Sequence, residues 1–249
     1  MYRTSFKTLS AKAASLLDQE LMSTGGFSID QLMELAGLSV AQAIYREYPP
    51  KEVANNKVLF LIGPGNNGGD GLVAARHLKL WGYYEPILYY PKRSTKNQLY
   101  KNLLTQLRDL EIQEINDFDS LKDLLIPSKG ANQTKLIVDA LFGFSFKPPL
   151  RPPFDSLISF ISENHDDIPP IVSVDIPSGW DVDEGPVAAD IKSTMLISLT
   201  APKPCARFFD KEKKTHYLGG RFINQKIAKK YDIEDLIKSY KGDDLITKL

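Results

Sequence analysis

One cysteine, Cys205, and three histidines are all that this 249-residue chain offers for a disulfide or a zinc site. A lone thiol excludes an internal disulfide, scattered imidazoles do not make zinc spacing, and such sparing use of cysteine fits a reducing compartment. Net charge is missing as well. Lysine plus arginine equals aspartate plus glutamate at 31 each, so no net field draws the chain to nucleic acid or to an anionic membrane. No apolar run approaches the roughly 18 residues that span a bilayer. Internal repeats, low-complexity tracts and Ser/Gly linkers are also absent, so nothing marks a domain boundary. With 43% hydrophobic content, one α/β domain over 1–249 can bury a sizeable core.

What the chain does have is alternation. Its basic, hydroxylated start is short, and a helix with Leu9, Ala13, Leu16 and Leu17 on one face begins at once, leaving little room for a cleavable presequence. The expectation is a cytoplasmic protein, with mitochondrial import through the uncleaved first helix kept open. After Gly25-Gly26, Ser28 and Gln31 form a capping box, and Leu32, Leu35, Ala36, Ser39 and Ala43 repeat at helical spacing up to Tyr48-Pro49-Pro50. These two helices, about 9–48, form an addition that packs on the sheet or on another subunit. A core at about 57–231 follows, then a tail at 232–249. Strands are expected at 58–62, 86–90, 112–115, 136–140, 171–175 and 195–199, and helices at 72–81, 96–110, 120–125 and near 154–163. From Lys211 onward no element is assigned. Strands that are apolar on both faces, alternating with helices, predict a mostly parallel sheet covered on both sides.

Between the first strand and its helix stands Gly63-Pro64-Gly65-Asn66-Asn67-Gly68-Gly69-Asp70-Gly71. Five glycines in nine positions predict a loop that needs φ > 0 or close approach of its N–H groups to a ligand, at a helix N-terminus that favours an anion. Residues 63–68 match G-x-G-x-x-G, but Pro64 removes a donor, Asn66-Asn67 add side-chain oxygens, and Asp70 brings a carboxylate. Those oxygens suggest a hard cation or a ligand hydroxyl beside the anion. The alternative is a turn whose glycines only let helix and strand pack closely.

In an open parallel sheet, ligands bind outside the carboxyl ends of the strands. Asp139 closes 136–138, and Asp175 closes 171–174 before Ile176-Pro177-Ser178-Gly179. Together with Asn66 they are expected to face one crevice, although either aspartate alone is equally a helix cap or turn former. The loop from Ala140 to Pro149 is flexible, aromatic, basic and rigid by turns. It can cover a flat ring while Lys147 reaches a phosphate, and Phe142, Phe144 and Phe146 can pack in the core as well. Beyond the second strand, Lys92 and Arg93 suit a phosphate, such as the 2′-phosphate of an NADP-like ligand, or form a solvated basic turn.

Four ordered motifs then carry a resemblance: the glycine stretch at 63–71, Tyr90-Pro91-Lys92, Val138-Asp139-Ala140-Leu141-Phe142-Gly143, and Val174-Asp175-Ile176-Pro177-Ser178-Gly179, with Tyr217-Leu218-Gly219-Gly220-Arg221-Phe222 beyond. The chain resembles the NAD(P)H-hydrate epimerase family from about Leu9 to Tyr231. The resemblance implies a Rossmann-like three-layer αβα sandwich, with a mostly parallel central sheet and two extra N-terminal helices. It also implies an isomerase that interconverts the R and S epimers of NADHX and NADPHX and feeds a separate, S-specific ATP- or ADP-dependent dehydratase. A potassium ion would be held by Asn66, Asp139 and Ser178. Substrate contacts would fall on Gly65, Asn66, Asn67, Gly68 and Gly69, on Gly143, Phe144, Ser145, Phe146, Lys147, Pro148 and Pro149, and on Asp175.

For the chemistry, expelling the hydroxyl at C6 with acid help and returning water to either face needs a carboxylate beside the ring. Asp175 is the expected acid/base, with Asp139 mainly holding the cation and second in line for proton transfer. Competing readings are an NADP-dependent oxidoreductase, a non-catalytic nucleotide- or protein-binding module, and a structural protein. A homodimer through the Leu32 to Ile44 helix is one account of its small and apolar residues, and packing on its own sheet is the other.

Overall fold

The computed structural model describes residues 6–49, 57–82, 85–94, 97–126, 133–187, 190–209 and 214–249. The chain's first five residues, Lys96 at the expected helix start, and Lys211 at the head of the tail lie outside the described residues.

Strand β1 (Lys57–Ile62) leads into α3 (Asn66–Leu80), which follows two N-terminal helices, α1 (Ala11–Met22) and α2 (Ile29–Glu47). Next come β2 (Glu85–Tyr89), α4 (Gln98–Asp109), β3 (Gln113–Ile115), α5 (Phe118–Leu125), β4 (Thr134–Ala140) and α6 (Phe154–Glu163). Then follow β5 (Ile171–Val174), β6 (Met195–Leu199), a 3₁₀ turn at Pro204–Phe208 and β7 (Thr215–Gly219). The chain closes with α7 (Gln225–Lys230), α8 (Glu234–Lys238) and β8 (Ile246–Lys248). In the sheet the order is β3-β2-β1-β4-β5-β6-β7-β8, with every pair parallel except β7 and β8. From β1 the chain runs outward one way through β2 and β3, and from β4 it runs the other way. The crevice outside the carboxyl ends of β1 and β4 is therefore the topological switch point.

Side chains of β1 alternate between two cores, as the period of two requires. Val58, Phe60 and Ile62 pack with α2, α3 and α4, while Leu59 and Leu61 pack with Leu121 of α5 and Leu157, Ile158 and Ile161 of α6. The result is the three-layer arrangement expected from the doubly apolar strands. The capping box at α2 is present: Gln31 N–H donates to Ser28 Oγ at 3.1 Å, and Ser28 N–H donates to Gln31 Oε1 at 2.8 Å. Helix α2 packs closely on α3 of its own chain. A Cβ at Gly37 would come within 2.4 Å of Val73 Cβ on α3.

The glycine stretch departs from expectation. Helix α3 begins at Asn66, six residues before the expected start, so Gly68, Gly69 and Gly71 are helical, and no glycine from Gly63 to Gly71 has a positive φ. Their reason is crowding between elements. A Cβ on Gly63 would stand 1.7 Å from Leu141 O, one on Gly68 would stand 2.0 Å from Gly63 O, and one on Gly69 would stand 2.4 Å from Met33 Sδ. Only at Gly65 is there open space. Close helix–strand packing describes Gly71, whose Cβ would stand 2.6 Å from Ala140 Cβ of β4, while the turn itself, the loop after β4 and α2 crowd Gly68, Gly63 and Gly69.

The unassigned tail supplies two strands and two helices. Here β8 pairs antiparallel with β7, while α7 and α8 bury Ile227, Ala228 and Leu236 against Leu17 and Leu21 of α1.

Candidate active site

At the switch point lies a cavity of about 750 Å³. The turn after β1 contributes Gly65, the first turn of α3 contributes Asn66 and Asn67, and the loop after β4 contributes Gly143 to Lys147 and Pro149. Lys92 lies past β2 and Asp175 past β5. Helix α1 forms another wall through Ala14, Ser15, Asp18 and Met22. Gly68, Gly69, Pro148, Asp139 and Ser178 do not line this cavity.

Asp175 leaves its strand with φ 69°, a left-handed conformation that aspartate tolerates better than most residues. This turn is pinned by its own N–H, which donates to Ile197 O at 2.7 Å. Its carboxylate accepts from Phe144 N–H at 2.9 Å on Oδ2 and from Lys203 Nζ at 2.5 Å on Oδ1. Lys203 is 2% exposed, also donates to Leu199 O at 2.9 Å, and lies 5.2 Å from the centre of the Phe144 ring. One buried ion pair thus ties the end of β5 to the loops after β4 and β6.

Gly143 belongs to the same junction. A Cβ there would stand 3.0 Å from Asp175 Oδ2 and 3.2 Å from Asn67 Oδ1, so its absence lets these two side chains converge. Asn67 is buried, and its Nδ2 has no partner among the described residues. Asn66 is exposed instead, its Oδ1 accepting from the Tyr100 hydroxyl at 2.8 Å. Phe142 stacks on Phe146 at 4.8 Å, and both line the cavity along with Phe144, so the alternating aromatics serve core and pocket together. Lys92 is exposed at the rim, whereas Arg93 is engaged with Glu114.

The expected meeting of Asn66, Asp139 and Asp175 in one crevice is met by two of the three. Asp139 lies fully buried beside the cavity rather than on its wall. Its Oδ1 accepts from Ser178 Oγ at 2.5 Å and Leu141 N–H at 3.3 Å, and its Oδ2 accepts from Ser178 N–H at 2.9 Å and Ser173 Oγ at 2.7 Å. Ser178 Oγ in turn accepts from Phe142 N–H at 3.1 Å. Burial raises the Asp139 carboxyl above its ordinary value, against the lowering effect of these donors. Among the described residues no cationic side chain is paired with it. Buried charges are normally paired or bound to a cation, so a carboxylate supported only by neutral donors fits a hard ion with oxygen ligands.

Four charged residues of the cavity were not singled out from the sequence as site residues: Lys203, Asp70, Asp18 and Arg151. Lys203 lies four residues past the end of β6, too far from it for the strand-end reading that picked out Asp139 and Asp175. Asp70 was visible as a misfit in the glycine motif. Burial pushes its carboxyl well above the ordinary value, with Asp175 and Asp18 adding and Lys203 opposing. Asp18 lies on an amphipathic helix whose spacing gives no hint of a cavity; burial pushes its carboxyl up to about 6, Lys203 opposing and Asp175 adding.

A mostly parallel sheet whose strand order reverses at a cavity walled by the strand-end carboxylate of Asp175 defines an α/β protein of the Rossmann-like, ligand-binding class. The sequence profile described as YjeF-related protein N-terminus matches residues 29–205. A Candida albicans protein named NAD(P)H-hydrate epimerase is 62% identical over 98% of both chains. One of that name from Saccharomyces cerevisiae is 47% identical over 99% of this chain and 100% of its own. The crystal structure of yeast YNL200c superposes with a TM-score of 0.90 at 45% identity, covering 98% of this chain and 100% of that one. The chain belongs to this family, that of the YjeF-related N-terminal domain and the NAD(P)H-hydrate epimerases.

Proposed function

We infer that this protein is an NAD(P)H-hydrate epimerase, interconverting the R and S epimers of NADHX and NADPHX. Alongside its full-length kinship with proteins of that name, the observation that carries the reading is the buried Asp175–Lys203 pair on the wall of a switch-point cavity. Epimerisation at C6 breaks and remakes a carbon–oxygen bond at a hemiaminal carbon and passes through a cationic ring. Asp175, held by Phe144 N–H and Lys203, presents a fixed carboxylate to that developing charge, and fixed charge needs no reorganisation as the reaction proceeds. Phe144 and Phe146 offer flat faces for the ring, and Lys92 and Lys147 offer cations for phosphates.

A potassium ion would be held by Asn66, Asp139 and Ser178, and would supply the positive charge that buried Asp139 lacks while ordering the loops after β1, β4 and β5. Asn66 would exchange its bond with Tyr100 for the ion. The product's S epimer would pass to a separate dehydratase, and a second copy of this chain is a further candidate partner.

The test is chromatography of an R-epimer sample before and after exposure to the protein, with no redox partner present. Appearance of the S epimer above the protein-free background supports the reading, and an unchanged R sample overturns it. Asp175→Asn should lower turnover about 10²-fold or more, the usual scale for losing a fixed electrostatic contact in the transition state.

A further inference from the structure

We propose that Asp18, on the N-terminal helix, is a catalytic residue of this epimerase, protonating the departing C6 hydroxyl and taking the proton back when water returns. This assignment rests on the epimerase reading above.

Helix α1 lies outside residues 29–205 matched by the family profile, yet it walls the cavity with Asp18. The wall is fixed. Leu9 N–H donates to Pro202 O at 2.9 Å, one residue before Lys203. Leu17 and Leu21 are fully buried, and Glu20 accepts from Lys230 at 2.6 Å and Tyr231 at 3.0 Å. A side chain on so anchored a helix is held in position rather than sampling the cavity in passing.

Charge supplies the second strand of the argument. Three carboxylates, from Asp18, Asp70 and Asp175, share the cavity with one buried ammonium, and Lys203 is already committed to Asp175 and Leu199 O. Both oxygens of Asp175 already accept, from Phe144 N–H and Lys203 Nζ, which suits it to the fixed-charge part described above. Asp70 is 8% exposed and has no hydrogen-bond or ion-pair partner among the described residues, so it must either keep a proton or meet a ligand group. Asp18 likewise has no partner among them, but it is only half-buried, with access to both the cavity and solvent. The charged groups acting on it are Lys203 and Asp175, with Asp70 sharing the field. Its carboxyl, pushed up to about 6, exchanges protons near neutral pH, the range in which a general acid works best.

The step balances without an oxidant or reductant. The C6–O bond breaks, the oxygen leaves as water with the proton of Asp18, and the ring nitrogen's lone pair forms C=N. Water then adds to C6 from either face, the C=N pair returns to nitrogen, and the proton returns to the Asp18 carboxylate.

Turnover of the full chain is followed by resolving the NADPHX epimers above the protein-free rate. Asp18→Asn should lower kcat about 10²-fold with KM little changed, and Asp18→Glu should restore part of it. Turnover of Asp18→Asn within about tenfold of the parent, or a loss confined to KM, overturns the assignment. If the asparagine variant does not fold by circular dichroism, pH profiles of the parent and Asp18→Glu decide: a displaced limb in the glutamate variant supports the role, and superimposable profiles refute it. A parent that leaves the epimers unequilibrated sinks the epimerase reading itself, and this assignment with it.

Discussion

Lys203 Nζ lies 2.5 Å from Asp175 Oδ1, with the two side chains 2% and 5% exposed, and 28 residues of chain separate them. A charge pair so enclosed is expensive to desolvate, and it persists because each partner would be worse placed alone. The pair also gathers the loop after β4 through Phe144, whose N–H binds the same carboxylate and whose ring lies under the same ammonium.

Removing one partner should therefore do more harm than the geometry of a single contact suggests. Lys203→Met is expected to lower unfolding stability by about 3–5 kcal/mol in urea titration, because Asp175 is left as an uncompensated buried charge. Epimerisation should fall with it, since the carboxylate loses its anchor.

The glycines of the α3 N-terminus should separate by neighbour rather than by conformation. Gly68→Ala places a methyl 2.0 Å from Gly63 O, a backbone atom with nowhere to go, while Gly65→Ala projects into open space. The first is expected to cost more than the usual 1–3 kcal/mol or so of overpacking and the second to be near neutral, as read from denaturation midpoints.

Burial of Asp18 implies a pH dependence of stability with a definite sign. Its folded carboxyl titrates at about 6 against an ordinary 3.8, so between those values the folded chain holds more protons than the unfolded one. Its stabilising share is complete below the unfolded value and is lost as pH rises through the folded one. On the order of 3 kcal/mol is at stake. Asp18→Asn should accordingly raise the melting temperature near pH 7.5 and give no such gain near pH 3.5, measured by calorimetry.

Asp139 should govern the response to monovalent cations. Replacing choline with potassium at constant ionic strength is expected to raise the parent's melting temperature progressively, by mass action on the folded state. Asp139→Asn should start lower, having lost acceptors for Ser173 and Ser178, and should show no potassium increment. An increment of parental size in that variant would remove Asp139 from the cation site.

How far the chain could be read in advance differs from element to element. The strands from β1 to β6 and the capping box of α2 were legible because period and cap chemistry are local. Asp175 was legible as a residue of the switch-point cavity because a polar residue at the end of an apolar strand is itself a local anomaly. The glycine motif misled in its boundary, since a crowded helix and a permissive loop both demand glycine, and only Gly63 O and Met33 Sδ tell them apart. Lys203 and Asp18 meet Asp70 and Asp175 across long sequence separations that no local pattern encodes.

The sequence by itself determined a mostly parallel sheet covered on both faces, the strand ends that carry aspartates, and the kinship of the whole chain, because periodicity, capping and motif order are properties of neighbours along the backbone. Tertiary structure alone decided that Asp139 is buried beside the cavity while Asp175 faces it, that the lysine after β6 neutralises the latter, and that the first helix brings a carboxylate to the site. Those outcomes depend on strand order and helix docking, and it is burial and juxtaposition in space that set the charge a side chain carries and what it can do.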